Sequence, residues 1–235
     1  MKTIFPTNQV HCADCMKILP LLSAGSVNSI ITDPPYGIDY QSNRRVITKR
    51  SDKIVGDAAV CDNGFLSECY RVLSNDSAML LFTRWDVWSQ WESLVKVAGF
   101  RIANMIVWDK MNHTAGDLKG NLSFQHELII LAIKGRFKLR SERRDCNLWS
   151  VPSQQSPPLH PTEKPVHLLE RAVYNFTHLG DLVLDPFAGV GSTLLAAKNY
   201  GRQYLGIEIE MRYVKICEER LKQTILATTM SWVGA

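Results

Sequence analysis

No uninterrupted apolar run in this sequence is longer than about six residues, whereas a membrane-spanning helix needs roughly 20. Such a helix is therefore not expected. Cysteine is scarce, with six in 235 residues at irregular spacings, too few for a disulfide scaffold, and these are read as thiols. The first ten residues, MKTIFPTNQV, lack an apolar stretch followed by a small-residue cleavage site. A secretory signal is not expected, and the cytosol is the default compartment. Internal repeats and low-complexity tracts are also missing.

Nor is there a large excess of one charge: 27 Lys and Arg stand against 23 Asp and Glu, a net +4. The distribution is more telling than the total. Residues 41–53 hold Arg44, Arg45, Lys49, Arg50 and Lys53 against Asp52 alone, and residues 134–144 hold Lys134, Arg136, Lys138, Arg140, Arg143 and Arg144 against Glu142 alone. The remainder of the chain is net acidic. Two cationic patches on an acidic body point to a polyanion such as nucleic acid; solvated loops are the competing reading.

Hydrophobic residues make up 46% of the chain, enough for a real core, and they fall into two periods. Short runs rich in Ile, Val and Leu predict strands at 8–12, 27–32, 78–82, 102–108, 127–133, 181–185 and 202–208. Helical spacing predicts helices at 64–73, 86–98, 166–178, 192–200 and 211–226. Strand alternating with helix implies one α/β domain over residues 1–235, with a mainly parallel sheet and helices on both faces. Segments at about 37–63, 109–125 and 134–160 fit neither period and are long for simple connections, so they are candidate functional loops.

In such a sheet, ligands gather at the carboxyl ends of the strands. After DLVL comes Asp185-Pro186-Phe187-Ala188-Gly189-Val190-Gly191-Ser192-Thr193, and then a helix. Its glycines allow a tight turn with close approach of a ligand, and the helix start offers N–H groups to an anion. Some nineteen residues on, Glu208 ends the next strand, where a carboxylate accepts from ribose hydroxyls. The pair indicates a nucleoside-containing cofactor. A third glycine is missing, since Leu194 stands there, and the loop lacks the phosphate-binding GxxxxGK[ST] pattern; NAD and ATP fit poorly.

The second informative strand end is Asp33-Pro34-Pro35-Tyr36. Prolines stiffen the turn, the Asp33 carboxylate and the Pro34 carbonyl both accept from one NH₂, and Tyr36 offers a face for stacking. These are the parts of a site for an exocyclic amine on a planar ring. A purely structural turn is the alternative.

With these residues the chain resembles the S-adenosylmethionine-dependent DNA amino-methyltransferases of the adenine-N6/cytosine-N4 group, in the beta order that places DPPY before the cofactor loop. The resemblance covers Asp14, Asp33 to Tyr36, NMIVWDK (104–110), QHELIILAIKG (125–135), HPTEKP (160–165), DPFAGVGST (185–193) and GIEIE (206–210). It implies a Rossmann-like methyltransferase fold, α/β, with a seven-stranded mixed sheet containing one antiparallel strand. Val190 departs from the family, which often has Ser there; Ser192 and Thr193 are candidates to replace that hydroxyl.

Residue by residue, the resemblance implies that Phe187, Gly189 and Gly191 wrap the methionine end of S-adenosylmethionine and that Asp185 takes its ammonium. Thr162, Lys164 and Pro165 complete that end, Glu208 holds the ribose, and Asp14 accepts from the adenine amine or else caps the following helix. Cys12 and Cys15 form a CxxC with no second pair or His set, so no metal is expected. Asp33 and Pro34 accept from the target amine, Pro35 stiffens the turn, and Tyr36 stacks on the base, with Phe124 or Trp108 as further stacking candidates against a core role. The base must be flipped out of double-stranded DNA.

Adenine is favoured because Asp33 stands where cytosine-N4 members more often have Ser. Cytosine, an RNA or protein substrate and a silent nucleic-acid-binding module remain alternatives. Asn43, Arg44, Arg45, Lys49 and Arg50 in one loop, and Arg140, Arg143 and Arg144 in the short segment 136–159, are the expected DNA contacts. So short a reader implies a short or degenerate site and leaves a homodimer and a partner nuclease, as in restriction-modification, as open questions.

Overall fold

The computed structural model describes residues 5–35, 64–112, 120, 122–153 and 163–223. The predicted loop 37–63 lies outside them. Eight strands form one sheet: β1 (Gln9–Cys12), β2 (Val27–Thr32), β3 (Leu73–Thr83), β4 (Arg101–Asp109), β5 (His126–Lys134), β6 (Leu148–Ser150), β7 (Leu182–Asp185) and β8 (Gln203–Glu208). The helices are α1 (Cys15–Ile18), α2 (Phe65–Val72), α3 (Trp88–Val97), α4 (Val166–Phe176), α5 (Ser192–Asn199) and α6 (Met211–Lys222).

The strand order is β1-β8-β7-β2-β3-β5-β4-β6. All pairs are parallel except those of β5 with β3 and with β4, so β5 is the one reversed strand, as the resemblance implied. All seven expected strands are present. The eighth, β6, falls inside the segment read as loop, and it makes the sheet eight-stranded rather than seven. Three residues are too few to show a period; what pins them is parallel pairing to β4 and burial of Trp149. β3 also begins earlier than its apolar run, at Leu73-Ser74-Asn75-Asp76, with a register shift opposite Val27 and Ser29.

Burial on both sides explains the near-continuous apolar strands. Along β3, Ala78, Leu80 and Phe82 face a core shared with α4, α5 and α6, whereas Met79 and Leu81 face one shared with α1, α2 and α3. In α2 the stripe is Phe65, Leu66, Cys69 and Val72, the spacing of a single helical face. Among the described residues no helix is long and apolar enough to cross a membrane.

This topology has a switch point. From β2 the chain proceeds to β3 on one side, while β7 proceeds to β8 on the other, and β2 and β7 are neighbours. The crevice beyond their carboxyl ends is where ligands of open α/β sheets bind. Asp33 and Asp185 both lie there.

Candidate active site

Asp185 ends β7 with its side chain buried. One oxygen accepts from Thr32 Oγ1 at 2.9 Å and from the Phe187 amide at 3.1 Å. Burial pushes its pKa up to about 6; hydrogen bonds from Thr193, Phe187 and Thr32 oppose this, and the charge of Asp33 adds to it. A buried carboxylate in this state gains from a cation placed against it.

After Asp185 the chain turns through Gly189 and Gly191, with φ of 51° and 79°. Residues with a Cβ rarely adopt these angles. A Cβ on Gly191 would also collide with Cys217 Sγ, whereas one on Gly189 meets nothing within 4 Å, so Gly189 borders open space. α5 starts at Ser192 with no side-chain cap, which leaves its first-turn amides to an anionic ligand group. The Phe187 ring packs edge-on against Phe65.

Glu208 ends the neighbouring β8. Its Oε2 accepts from the Gly189 amide at 2.9 Å and its Oε1 from the Glu210 amide at 2.8 Å. Burial raises its pKa, and these backbone donors partly offset that. On the next strand, Asp14 follows β1, whose Cys12 pairs with Glu208. Asp14 Oδ1 accepts from the Met16 amide at 2.9 Å, so it does cap α1 while sitting at the same sheet edge as Glu208. Asp185, Gly189, the α5 start and Glu208, gathered at the carboxyl ends of β7 and β8, suit a ligand that carries an ammonium, a carboxylate and a ribose.

The acceptor side is built around Asp33. Lys164 Nζ lies 2.5 Å from Asp33 Oδ2 and 3.2 Å from Glu127 Oε2, and Lys110 Nζ lies 2.6 Å from Glu127 Oε1. The Lys164–Glu127 contact is an ion pair without hydrogen-bond alignment. Burial works against the charge on Lys164, yet Asp33 and Glu127 hold its pKa above the usual lysine range. Burial likewise opposes ionisation of Glu127, but Lys164 and Lys110 outweigh it and hold its pKa low. The resemblance implies Lys164 on the cofactor; in this structure its ammonium pairs with the two carboxylates. Pro165 caps the start of α4.

The hydroxyls expected to replace Val190 also have other partners. Thr193 bonds Asp185, and Ser192 Oγ lies 3.3 Å from Arg220, which also donates to Val190 O at 2.8 Å and pairs with Glu163 at 3.0 Å. Arg220, on α6, belongs to none of the sequence motifs. It ties the glycine turn to the residue preceding Lys164.

Trp108 is buried, and its indole donates to Val151 O at 2.8 Å; it is core and not a base contact. Phe124 is 37% exposed and stacks on Trp85, itself 57% exposed, with ring centroids 6.4 Å apart. Thr32 of β2 lies level with Leu81 of β3, so Trp85, two residues past the end of β3, projects beyond the same edge as Asp33. Exposed Met111 and Leu122 flank the adjoining strands β4 and β5. Trp85 lies outside every expected motif, and only its position just past a buried strand end could have signalled it.

The arginines of the second cationic patch lie elsewhere. Because β5 runs backwards, Lys134 ends level with Ser77 at the amino end of β3. From there Arg140 donates to Asp76 O at 2.8 Å, and its own amide donates to Asn175 O at the far end of α4. Arg143 and Arg144 lie between that anchor and Asp145, which is held by Arg171 and Asn175. The structure therefore does not bring Arg140, Arg143 and Arg144 together with Asp33: their anchors lie toward the other end of the sheet. Tyr36, Asn43, Arg44, Arg45, Lys49, Arg50 and Thr162 lie outside the described residues, as does the whole of 154–162.

Comparison with known proteins places the chain in a family. A family model described as DNA methylase matches residues 27–219. YubD of Escherichia coli (strain K12) is 32% identical over 211 residues, covering 88% of this chain and 87% of YubD. The type II methyltransferase M2.DpnII of Streptococcus pneumoniae is 29% identical over 239 residues, covering 91% of this chain and 88% of its own. Among solved structures, M1.HpyAVI in complex with SAM matches with a TM-score of 0.69 at 25% identity, over 92% of this chain and 99% of that one. The cytosine-N4-specific PvuII methyltransferase reaches 0.73 at 16% identity, over 94% and 87% of the two chains, a likeness of fold alone. The matched span runs from β2 through Asp33, Lys164, the glycine turn and Glu208 into α6, and on that match the chain belongs to the DNA methylase family of N6/N4 amino-methyltransferases.

Proposed function

We propose that this protein transfers a methyl group from S-adenosylmethionine to the N6 amine of an adenine flipped out of DNA. The carrying observation is the juxtaposition at the β2/β7 switch point: Asp33, held by Lys164, stands beside the buried Asp185 that begins the glycine turn. The open space at Gly189, the uncapped α5 start, Asp185 and Glu208 fit S-adenosylmethionine. When bound, it supplies a methyl activated on a sulfonium. The named SAM complex of M1.HpyAVI supports the same cofactor.

The amine's lone pair is delocalised into the adenine ring, which makes it a poor nucleophile. Asp33 and the Pro34 carbonyl accept from its two N–H bonds and so favour a pyramidal nitrogen with its lone pair released. The negative charge of Asp33 faces the positive charge that develops on that nitrogen, so positioning and electrostatics supply most of the rate. No covalent intermediate is required. Tyr36 stacks on the base, and the rim of Trp85 and Phe124 meets the DNA around it. Asp33 in place of Ser supports adenine over cytosine.

The test is methyl transfer from labelled cofactor to unmethylated DNA, followed by nucleoside analysis. N6-methyladenine is expected, N4-methylcytosine would overturn the base assignment, and no transfer to DNA would overturn the function. Asp33→Asn is expected to abolish transfer while calorimetry still detects cofactor binding.

A further inference from the structure

Four ionised side chains alternate in sign across three strand ends: Lys110 after β4, Glu127 in β5, Lys164 before α4 and Asp33 after β2. The contacts are 2.6, 3.2 and 2.5 Å in that order. Both ammoniums lie over aromatic rings, Lys164 5.2 Å from the Phe82 centroid and Lys110 5.2 Å from that of Trp108. Lys164 is only 8% exposed. Burying charge this deeply is costly unless every member is paired, and removal of one partner strands the next.

We infer that Glu127 is a positioning residue for Asp33, acting through Lys164. The inference rests on the proposed methyl transfer to an amine. Lysine is a point charge on a flexible four-carbon stem, and a single carboxylate does not fix where it sits. Lys164 already sits at hydrogen-bond contact with Asp33 Oδ2; with Asp33 as its only partner it would be free to swing between the two carboxylate oxygens and occupy the one the amine needs. Glu127 pulls Lys164 from the other side, so the ammonium is shared and stationary. Lys110 holds Glu127 in turn by its other oxygen. Among the described residues, the carboxylate of Asp185, across from Asp33 on β7, also faces this group.

The same segment coordinates the two halves of the site. Glu163 pairs with Arg220, which donates to Val190 O in the glycine turn, while the next residue, Lys164, holds Asp33. Donor loop and acceptor carboxylate are thus set by consecutive side chains. A slip of Lys164 would disturb their alignment, on which an in-line displacement depends.

Glu127→Gln preserves shape and removes charge. It is expected to lower kcat by about tenfold or more with KM for S-adenosylmethionine unchanged, and Glu127→Asp should restore part of that loss. Because Glu127 acts through Lys164, the double variant Glu127→Gln/Lys164→Met should be no slower than Lys164→Met alone. Wild-type kcat in folded Glu127→Gln, or losses that multiply in the double variant, would overturn the inference. A second readout needs no turnover: in ¹⁵N-lysine-labelled protein, Glu127→Gln should shift the Lys164 ammonium resonance and let it titrate at lower pH. An unchanged resonance also overturns the inference. If the wild type leaves adenine unmethylated, the proposed function fails, while the resonance still decides whether Glu127 sets Lys164.

Discussion

The Gly189 amide donates to Oε2 of Glu208 at 2.9 Å, fastening the turn after β7 to the end of β8. The carboxylate assigned to the ribose is therefore also the clip that shapes the loop around the other end of the cofactor. On the proposed function, one residue would serve both the ligand and the geometry of its pocket.

Glu208→Ala should consequently do more than delete a ligand contact. Loss of charge-assisted hydrogen bonds predicts affinity for S-adenosylmethionine weaker by about 1.5–3 kcal/mol. The released Gly189 and Glu210 amides should also lower the thermal midpoint of the ligand-free protein. Glu208→Gln, which keeps one acceptor, should recover more of the midpoint than of the affinity. Calorimetry and thermal unfolding check the two effects separately, and unchanged affinity in Glu208→Ala would remove the ribose role.

Asp185 gives the site a pH dependence whose sign follows from its raised pKa of about 6. An unfolded aspartate titrates near 3.9, so the fold binds this proton more tightly than the unfolded chain does. Its contribution to stability is present in full below about pH 4 and is lost as pH rises through about 6, a change of about 3 kcal/mol. A cofactor ammonium reverses that preference, because it favours the ionised carboxylate. The rise in thermal midpoint on adding S-adenosylmethionine should therefore be larger at pH 7.5 than at pH 5, and binding below pH 6 should release protons. Glu208, raised by burial in the same direction, adds to the trend. Asp185→Asn should diminish it, and an equal midpoint rise at both pH values in the wild type would contradict this account.

What the sequence made legible is what local chemistry dictates. Strands buried on both faces announce themselves as apolar runs, so β2, β3, β5 and β7 were readable, and so were the residues following β2 and β7. The glycine turn was readable because glycine readily takes φ values such as 79° at Gly191, which residues with a Cβ rarely adopt. The chain from Lys110 to Asp33 was not, because its members come from distant segments, Lys164 and Asp33 being 131 residues apart. The place of the second cationic patch on the fold was not legible for a related reason. Charge composition carries no vertical coordinate, and the reversal of β5 delivers Arg136 and Arg140 to the amino end of β3, where the Asp76 carboxylate and carbonyl accept from them.

That placement predicts the behaviour of the patch in DNA binding. Every phosphate deprived of its cationic partner should lower the salt slope by about 1. Combined replacement of Arg143 and Arg144 with Gln should leave the slope unchanged, since their anchors lie toward the far end of the sheet. Arg140→Gln should instead lower the thermal midpoint, because Arg140 ties the segment to Asp76 O at 2.8 Å. A slope reduced by about 2 in the Arg143/Arg144 variant would return that segment to the DNA face.

The rim of the active site should behave in the opposite way. Trp85 and Phe124 lie with ring planes 21° apart, and Trp85 is held on a turn where Arg84 and Asp86 make two hydrogen bonds, at 3.1 and 2.7 Å. A rigid indole that is 57% exposed contributes little to the core, so Trp85→Ala should leave the thermal midpoint and cofactor affinity unaltered. Flipping a base leaves neighbours unstacked, and an aromatic platform replaces part of that stacking, worth about 1–3 kcal/mol per base. Trp85→Ala should therefore weaken binding to duplex DNA by that amount and reduce the fluorescence rise of a 2-aminopurine placed at the target position. Phe124→Ala should do the same to a smaller degree, because Phe124 is the less exposed ring. Unchanged DNA affinity and an unchanged 2-aminopurine signal in both variants would mean that the DNA passes over another part of this edge.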